Sequence, residues 1–143
     1  MKNGNVKVIF DTNVWISFLI GKRLSFIRNQ ITNGDLKIIV TPQLLKEIKL
    51  VTTREKLKKY FPKNSVKELI DLLEIIALNV EIKSKHNICR DPKDNFLLDL
   101  IDYSKADFLV TGDSDLLAHN PFKSAQILTP NEFQKFMKKN QNL

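Results

Sequence analysis

The sequence predicts an α/β fold, a three-layer sandwich with a mainly parallel five-stranded sheet in the order 3-2-1-4-5. Short apolar segments alternate with helical segments five times along the 143 residues, which is typical of a parallel sheet covered by helices. The connections are short, and there is no internal repeat or low-complexity segment. We therefore expect one domain over residues 1–143.

The predicted strands are short apolar runs that end in polar or turn-forming residues. The first covers residues 6–10 and stops at Asp11, and the fourth stops at the sequence Thr111-Gly112-Asp113. Since function in such folds lies outside the carboxyl ends of the strands, the residues at these stops are the first candidates for a site. The strands are predicted at 6–10, 36–40, 79–82, 107–110 and 126–128.

Helices are predicted from apolar residues at helical spacing and from capping sequences. Thr41-Pro42 places a threonine at the N-cap and a proline at the first helical position, and the helix that follows has a break point near Thr52-Thr53. Thr129-Pro130-Asn131-Glu132 is a capping box that opens the last helix. Residues 13–20 form an apolar run that Gly21 interrupts, and the earlier helices are predicted at 24–31, 42 to about 60, 65–78, 94–105 and 114–118.

The net charge of +7 favours a polyanionic partner, and most of the excess lies in one segment. Between residues 46 and 67 there are eight basic and two acidic residues. This segment is either a solvated helical face or a phosphate-contacting surface. The candidate phosphate-contacting residues are Lys46, Lys49, Arg54, Lys56, Lys58 and Lys59.

The single cysteine, Cys89, excludes an internal disulfide and fits a reducing compartment. His86 and Cys89 have the spacing of a metal-binding pair, but no second pair completes a tetrahedral site. The apolar run at 14–20 is too short to span a membrane, and no signal peptide is evident. We therefore expect a cytoplasmic protein without membrane contact.

Asp11 and Asp113 follow the first and fourth predicted strands, which are neighbours if the strand order is 3-2-1-4-5. Each aspartate is also a good helix N-cap, and so is Asp94, which begins the helix before the fourth strand. Carboxylates brought together repel one another, and a divalent cation with oxygen ligands relieves that repulsion. The pattern therefore favours a Mg²⁺ or Mn²⁺ site, with the position of Asp94 less defined than the other two.

Glu47 borders the apolar stripe of its predicted helix and has no basic residue three or four positions away. Its neighbours at those positions are Gln43, Leu44, Leu50 and Val51. The side chain must therefore reach solvent or find a cation elsewhere, and the sequence leaves both possibilities open.

Ordered motifs across the chain resemble those of PIN-domain proteins, in particular the toxin-like members of bacterial and archaeal toxin–antitoxin pairs. They are the sequence Asp-Thr-Asn-Val after the first strand, the helical Glu47, and three further segments. The resemblance covers nearly the whole chain. The further segments are Arg-Asp-Pro-Lys-Asp-Asn at 90–95, Thr-Gly-Asp-Ser-Asp-Leu-Leu at 111–117 and Ile-Leu-Thr-Pro-Asn-Glu-Phe at 127–133.

The resemblance implies a Mg²⁺- or Mn²⁺-dependent ribonuclease. The acidic motif of the family falls on Asp11, Glu47, Asp94 and Asp113, with Asp115 at a more variable auxiliary metal position. Asp91 competes with Asp94, which we prefer because it directly precedes the helix. Small polar residues that orient carboxylates and water are matched by Thr12, Asn13, Thr111 and Ser114.

Hydrolysis with such a site is expected to proceed by in-line attack of a metal-activated water, leaving a 5′-phosphate and a 3′-hydroxyl. The expected partners are RNA, a small antitoxin protein and a second copy of the chain. The main alternative is a non-catalytic PIN-like module that binds RNA or protein, which predicts the loss of an acid. A receiver domain requires an acidic pair near the first strand, an acceptor aspartate after the third and a lysine after the fifth. Here Asp11 stands alone, the third strand runs into Lys83-Ser84 and the fifth ends in Thr129-Pro130. A haloacid-dehalogenase-type phosphatase requires a second acid two residues after Asp11, where Asn13 stands instead.

Overall fold

The computed structural model describes residues 6–21, 29–30, 34, 36–54, 59, 65–82 and 95–138, and the backbone of 139–141. Five strands form one sheet in the order β3-β2-β1-β4-β5, and all of its strand pairs are parallel. The predicted fold class and strand order are therefore confirmed. The strands are β1 (Val6–Phe10), β2 (Leu36–Val40), β3 (Leu78–Asn79), β4 (Phe108–Val110) and β5 (Gln126–Leu128).

All the described helices but the last fall in the connections between these strands, as the alternation in the sequence predicts, and the last follows the fifth strand. The first covers the apolar run at 13–20, and each later one begins within one residue of its predicted start. Of the predicted helix at 24–31, only residues 29–30 are described, and they are helical. The helices are α1 (Thr12–Ile20), α2 (Pro42–Thr52), α3 (Ser65–Ile76), α4 (Asn95–Ser104), α5 (Ser114–Leu117) and α6 (Pro130–Gln141).

β3 is shorter than predicted and lies earlier in the chain. We expected a strand at 79–82, whereas β3 covers Leu78–Asn79. β3 can pair only as far as its neighbour β2 extends, and β2 ends at Val40, opposite Asn79. One further hydrogen bond, from the Val80 N–H to the Val40 carbonyl at 2.8 Å, continues the pairing before the chain leaves the sheet.

The predicted caps are confirmed at one helix and only partly at another. At α6, the Thr129 N–H donates to the Glu132 carboxylate at 2.9 Å, and the Glu132 N–H donates to the Thr129 hydroxyl at 3.2 Å. This is the reciprocal capping box. At α2, Thr41 is in the N-cap position and Pro42 begins the helix, but the buried Thr41 side chain makes no capping hydrogen bond.

The core packs apolar residues from both faces of the sheet against the helices. Phe10 at the end of β1 contacts Trp15 and Phe18 of α1 and Phe133 of α6 in edge-to-face arrangements, with ring centroids 5.1 to 5.7 Å apart. Such aromatic contacts add to the free energy gained by burial. They fix α1 and α6 against the strand end from which Asp11 emerges.

Helices α1, α2 and α3 lie on one face of the sheet. The chain moves from β1 to β2 to β3 in one direction across the sheet, and right-handed crossovers place the connecting helices on the same side. α1 packs against α2, and α2 packs against α3, in agreement with this placement. Among the described residues, no helix has both the length and the apolar character needed to cross a membrane.

Candidate active site

Asp11 and Thr111 leave the sheet side by side at its carboxyl edge. β1 and β4 pair in parallel with Phe10 opposite Val110, so the next residue of each strand reaches the same edge. The Asp11 N–H donates to the Val110 carbonyl at 3.0 Å, which ties the backbone of Asp11 to the end of β4. Sheet pairing therefore fixes the start of both polar segments.

The Thr111 hydroxyl connects the two aspartates that the sequence analysis placed at this edge. It donates to Asp11 Oδ2 at 2.5 Å and accepts the Asp113 N–H at 3.0 Å. Thr111 is fully buried, and its own N–H donates to the Leu128 carbonyl of β5 at 2.9 Å. The buried Thr111 hydroxyl thus forms hydrogen bonds with both the Asp11 side chain after β1 and the Asp113 backbone after β4.

Both aspartates also cap helices. Asp11 Oδ1 accepts the Asn13 N–H at 3.0 Å at the start of α1, and Asp113 Oδ1 accepts the Asp115 N–H at 2.8 Å at the start of α5. The capping and site interpretations of these residues are therefore compatible, because each carboxylate oxygen has two lone pairs. Asn13 contributes its backbone here, and its side chain and that of Ser114 are exposed.

Glu47 has a hydrogen-bond partner on a different helix. Glu47 Oε1 accepts a hydrogen bond from the Thr12 hydroxyl at 2.8 Å, across the contact between α1 and α2. Thr12 directly follows Asp11, so this bond brings Glu47 beside the first turn of α1. The glutamate is half-buried, and it therefore turns toward the site rather than fully into solvent.

Burial raises the pKa of the Asp11 carboxyl above its ordinary value. Hydrogen bonds from Thr111 and Asn13 lower this pKa, and the negative charge of Asp113 raises it. The desolvation effect is the largest of these. An ionised Asp11 beside Asp113 is thus a costly arrangement for the folded chain without a cation.

The site residues chosen from sequence are only partly described. Asp94 and its competitor Asp91 lie outside the described residues, and so do Lys56 and Lys58. Within the described part of the chain, no three acidic, histidine or cysteine side chains are grouped closely enough to hold a metal ion. The geometry therefore joins Asp11 with Asp113 through Thr111, and Glu47 with Thr12. The complete four-acid cluster, with Asp115 as an auxiliary, stays a prediction.

Asp99 is a buried carboxylate that the sequence analysis did not single out. It lies on α4, where residues 95–101 are all buried. Asn95, at the start of the helix, is a second buried polar residue in this run. Both residues take part in polar interactions. The sequence signal for Asp99 is an acidic residue within the apolar run at 96–101, because acidic side chains are rarely buried without a partner.

The donor chemistry fits a divalent cation. Asp11, Glu47 and Asp113 supply only oxygen atoms, which Mg²⁺ and Mn²⁺ prefer. In the described part of the chain, none of the three forms an ion pair with a lysine, arginine or histidine. The positive charge that would balance the two neighbouring aspartates is thus not supplied by described side chains.

Fold and site together define a class: an α/β protein with carboxylates at the carboxyl edge of a parallel sheet, where adjacent central strands end. The sequence profile described as the PIN domain matches residues 7–115, from β1 into α5. The chain belongs to the PIN-domain family. PIN domains are generally nucleases and usually use divalent metal ions.

The chain is also similar to one protein in sequence and to another in fold. The chain is 32% identical over 127 residues to "Uncharacterized protein MJ1680" of Methanocaldococcus jannaschii, covering 82% of this chain and 77% of that one. The fold is similar to the crystal structure of PAE2754 from Pyrobaculum aerophilum, with a TM-score of 0.55 and 15% sequence identity. That match covers 93% of this chain and 90% of the other, and it supports the fold alone.

Replacing Asp11 by Asn is expected to increase the free energy of unfolding at neutral pH in a chelating buffer. Because the pKa of Asp11 is raised on folding, its protonated form is favoured, and the resulting stabilisation is lost as the pH rises through the folded-state pKa. Asn carries no charge and keeps an acceptor oxygen. Denaturant titrations with Trp15 fluorescence as the probe should show the gain at neutral pH and its disappearance at acidic pH. A less stable variant at neutral pH would contradict this.

Thr111→Val is expected to weaken Mn²⁺ binding about 10- to 100-fold, as removal of a group that orients metal ligands typically does. Valine has nearly the same shape but cannot donate to Asp11 or accept from the Asp113 N–H. Thr111→Ser retains the hydroxyl and is the matched control. Isothermal titration calorimetry with Mn²⁺ compares the three proteins, and equal affinity of the Val variant and wild type would exclude an orienting role for the hydroxyl.

Proposed function

We propose that the protein is a metal-dependent endoribonuclease that hydrolyses RNA phosphodiester bonds. The observation that supports this most directly is the Thr111 hydroxyl, which binds the Asp11 carboxylate and the backbone of Asp113 at once. A capping role alone does not require the two aspartates to share a buried group. The proposed ligands of Mg²⁺ or Mn²⁺ are Asp11, Glu47, Asp94 and Asp113, with Asp115 as an auxiliary.

The protein groups act mainly by positioning. The amides of Asn13 and Asp115 and the hydroxyls of Thr12 and Thr111 each occupy one lone pair of a carboxylate and leave others for a cation. When bound, the cation lowers the pKa of water and stabilises negative charge on the phosphate and on the leaving oxygen. Asp11 would be the most firmly held ligand of the cation, because its carboxylate is buried and accepts two hydrogen bonds.

RNA binding is assigned to the basic segment of α2 and the residues that follow it. Lys46, Lys49, Arg54 and Lys59 are exposed. Lys46 directly precedes Glu47 in the same helix. Such cations contact phosphates without reading bases, and a single-stranded or looped RNA can bend its backbone toward the acids. Lys56 and Lys58 are included on their charge alone.

The proposed biological role is that of the toxin in a toxin–antitoxin pair, acting on RNA in the cytoplasm and inhibited by a small antitoxin protein. The support is the resemblance in the ordered motifs of the chain to the toxin-like PIN proteins. The activity and this role are separable, because a ribonuclease of the same fold need not inhibit growth.

Asp11→Asn and Asp113→Asn are each expected to reduce Mn²⁺-dependent cleavage of single-stranded RNA by about 100-fold or more, since each removes a proposed ligand charge. Cleavage and the chemistry of the new ends are followed on end-labelled RNA. The same variants test the toxin role, because only the wild-type chain should arrest growth when it is expressed.

Asp107→Asn is the matched control for these two variants. Asp107 is exposed and precedes β4, at the opposite edge of the sheet from Asp113, and Asn can still accept the Lys7 N–H that Asp107 binds. It should cut like wild type. If all four proteins cut equally, the acidic site is not catalytic. If none cuts but RNA still binds, the chain is the non-catalytic module.

Replacing Lys56, Lys58 and Lys59 together by Ala is expected to weaken RNA binding and flatten its dependence on salt. Each lost phosphate contact should lower the slope of log K against log salt by ~0.7 for a single strand. Fluorescence anisotropy with labelled RNA in chelating buffer measures the slope without cleavage. The control replaces the exposed Lys37, Lys135 and Lys138, which lie elsewhere. Equal slopes for both triple variants would mean that the segment is only a solvated face.

A further inference from the structure

Thr41 places an unused hydroxyl group at the carboxyl edge of the sheet. The residue is only 2% exposed, yet its hydroxyl makes no capping bond and no other hydrogen bond within the described part of the chain. The described side-chain polar atoms that are completely enclosed without a partner are Trp15 Nε1 and Ser65 Oγ. Since the Thr41 hydroxyl is not one of these, it opens on a space that solvent can enter. Buried hydroxyls almost always have a partner, so a free one at this edge indicates a ligand.

Register and backbone conformation direct the Thr41 side chain toward Asp11. β1 and β2 pair in parallel with Val8 opposite Ile38, and three residues further along this register Thr41 lies beside Asp11. Both residues are extended, so the alternation of side chains between the two faces of the sheet continues to them. Residues side by side in a sheet project from the same face. Asp11 therefore lies between two threonines, of which Thr111 donates to its carboxylate and Thr41 does not.

The first backbone amides of α2 lie beside this hydroxyl. The helix begins with Pro42, Gln43 and Leu44, and its first intrahelical bond is donated by the Leu45 N–H to the Thr41 carbonyl at 3.1 Å. Proline has no N–H, and the N–H groups of the next two residues have no acceptor among the described residues. The first turn of α2 also contains no acidic residue. Two free donors and the positive end of the helix dipole thus lie at the same edge as the free hydroxyl.

We propose that the Thr41 hydroxyl and the free amides of α2 bind a phosphate group of the RNA strand, beside the acidic site. This inference rests on the RNA substrate of the proposed function. Donors at a helix N-terminus select an anion, and phosphate is the anion that RNA carries at every linkage. The subsite contributes no carboxylate, so it is separate from the proposed cation ligands. It would hold the strand next to Asp11, whose negative charge a bound cation balances.

The subsite predicts that the folded protein gains no stability from the Thr41 hydroxyl. Thr41→Val replaces a hydroxyl that has no partner by a methyl group of nearly the same shape. The free energy of unfolding in chelating buffer should therefore be unchanged or higher. A hydroxyl with a structural role predicts the opposite, a less stable Val variant. Denaturant titrations with Trp15 fluorescence measure the difference.

The same substitution should weaken RNA binding. The affinity is measured by fluorescence anisotropy in chelating buffer, with Thr41→Val introduced into the Asp11→Asn protein, where neither cleavage nor a bound cation contributes. We expect a loss of about tenfold or more, which is typical for one hydrogen bond to a charged group. Thr41→Ser in the same protein retains the hydroxyl and should retain the affinity.

Gln43→Asp tests the amides of α2 independently. Gln43 is exposed, and a negative charge in the first turn stabilises a helix but repels a phosphate. The variant should therefore be at least as stable as wild type and bind RNA more weakly. The matched control is Asn131→Asp, which has the same position after the Thr-Pro pair of α6, where the Thr129–Glu132 capping box already closes the N-terminus. Asn131 is also exposed, and its replacement should change RNA affinity much less.

Three results would overturn the subsite. The first is a Thr41→Val protein that is less stable and binds RNA as well as its parent, and the second is an equal loss of affinity for Gln43→Asp and Asn131→Asp. The third is weaker binding of inorganic phosphate by Thr41→Val in isothermal titration calorimetry with unchanged RNA binding, which would assign the site to a free anion. Failure of the ribonuclease proposal looks different. A wild type that does not cut, together with weaker RNA binding by Thr41→Val, would support the subsite in a non-catalytic RNA-binding module.

Discussion

The parallel pairing of β1 with β4 is the constraint on which the site depends. Register places Phe10 opposite Val110, and the last three residues of β1 and all three of β4 are almost fully buried. A shift of one residue would exchange the faces of these side chains and disrupt their close packing, so the core fixes the register. Because the register is fixed, Asp11 and Thr111 must emerge as neighbours, and the Thr111 hydroxyl can reach the Asp11 carboxylate. The positions of Asp11 and Asp113 therefore result from the packing of the two strands that precede them.

This arrangement is held at some cost to the folded chain. A carboxylate as buried as Asp11 is desolvated; the hydrogen bonds from Thr111 and Asn13 offset only part of that cost, and the negative charge of Asp113 adds to it. Proteins accept such local instability at sites whose ligand supplies the missing interaction. The surrounding contacts, from the aromatic cluster around Phe10 to the capping box at Thr129, keep the site assembled in its absence. The burial of Asp11 thus lowers the stability of the folded chain locally, while these surrounding contacts raise it.

Sequence was sufficient where a feature is decided by neighbours along the chain. The bounds of β1, β2 and β5 follow from apolar runs that end in polar residues, and the reciprocal Thr129–Glu132 cap follows from its spacing. Features decided by distant residues were not predictable. The length of β3 depends on where β2 ends, and the partner of Glu47 is Thr12, 35 residues earlier in the chain. For Asp94, the motif remains the basis of its assignment.

Helix α2 has three distinct faces, and their combination links the site to the surface. Leu44 and Ile48 pack into the core, Glu47 turns toward Thr12, and the exposed stripe around Leu50 points outward. Because one helix carries all three, a displacement of α2 would also move Glu47 relative to α1, where the Thr12 hydrogen bond spans only 2.8 Å. The buried stripe resists such a displacement, since moving close-packed side chains costs free energy. The packing of Leu44 and Ile48 in the core therefore holds Glu47 beside Thr12.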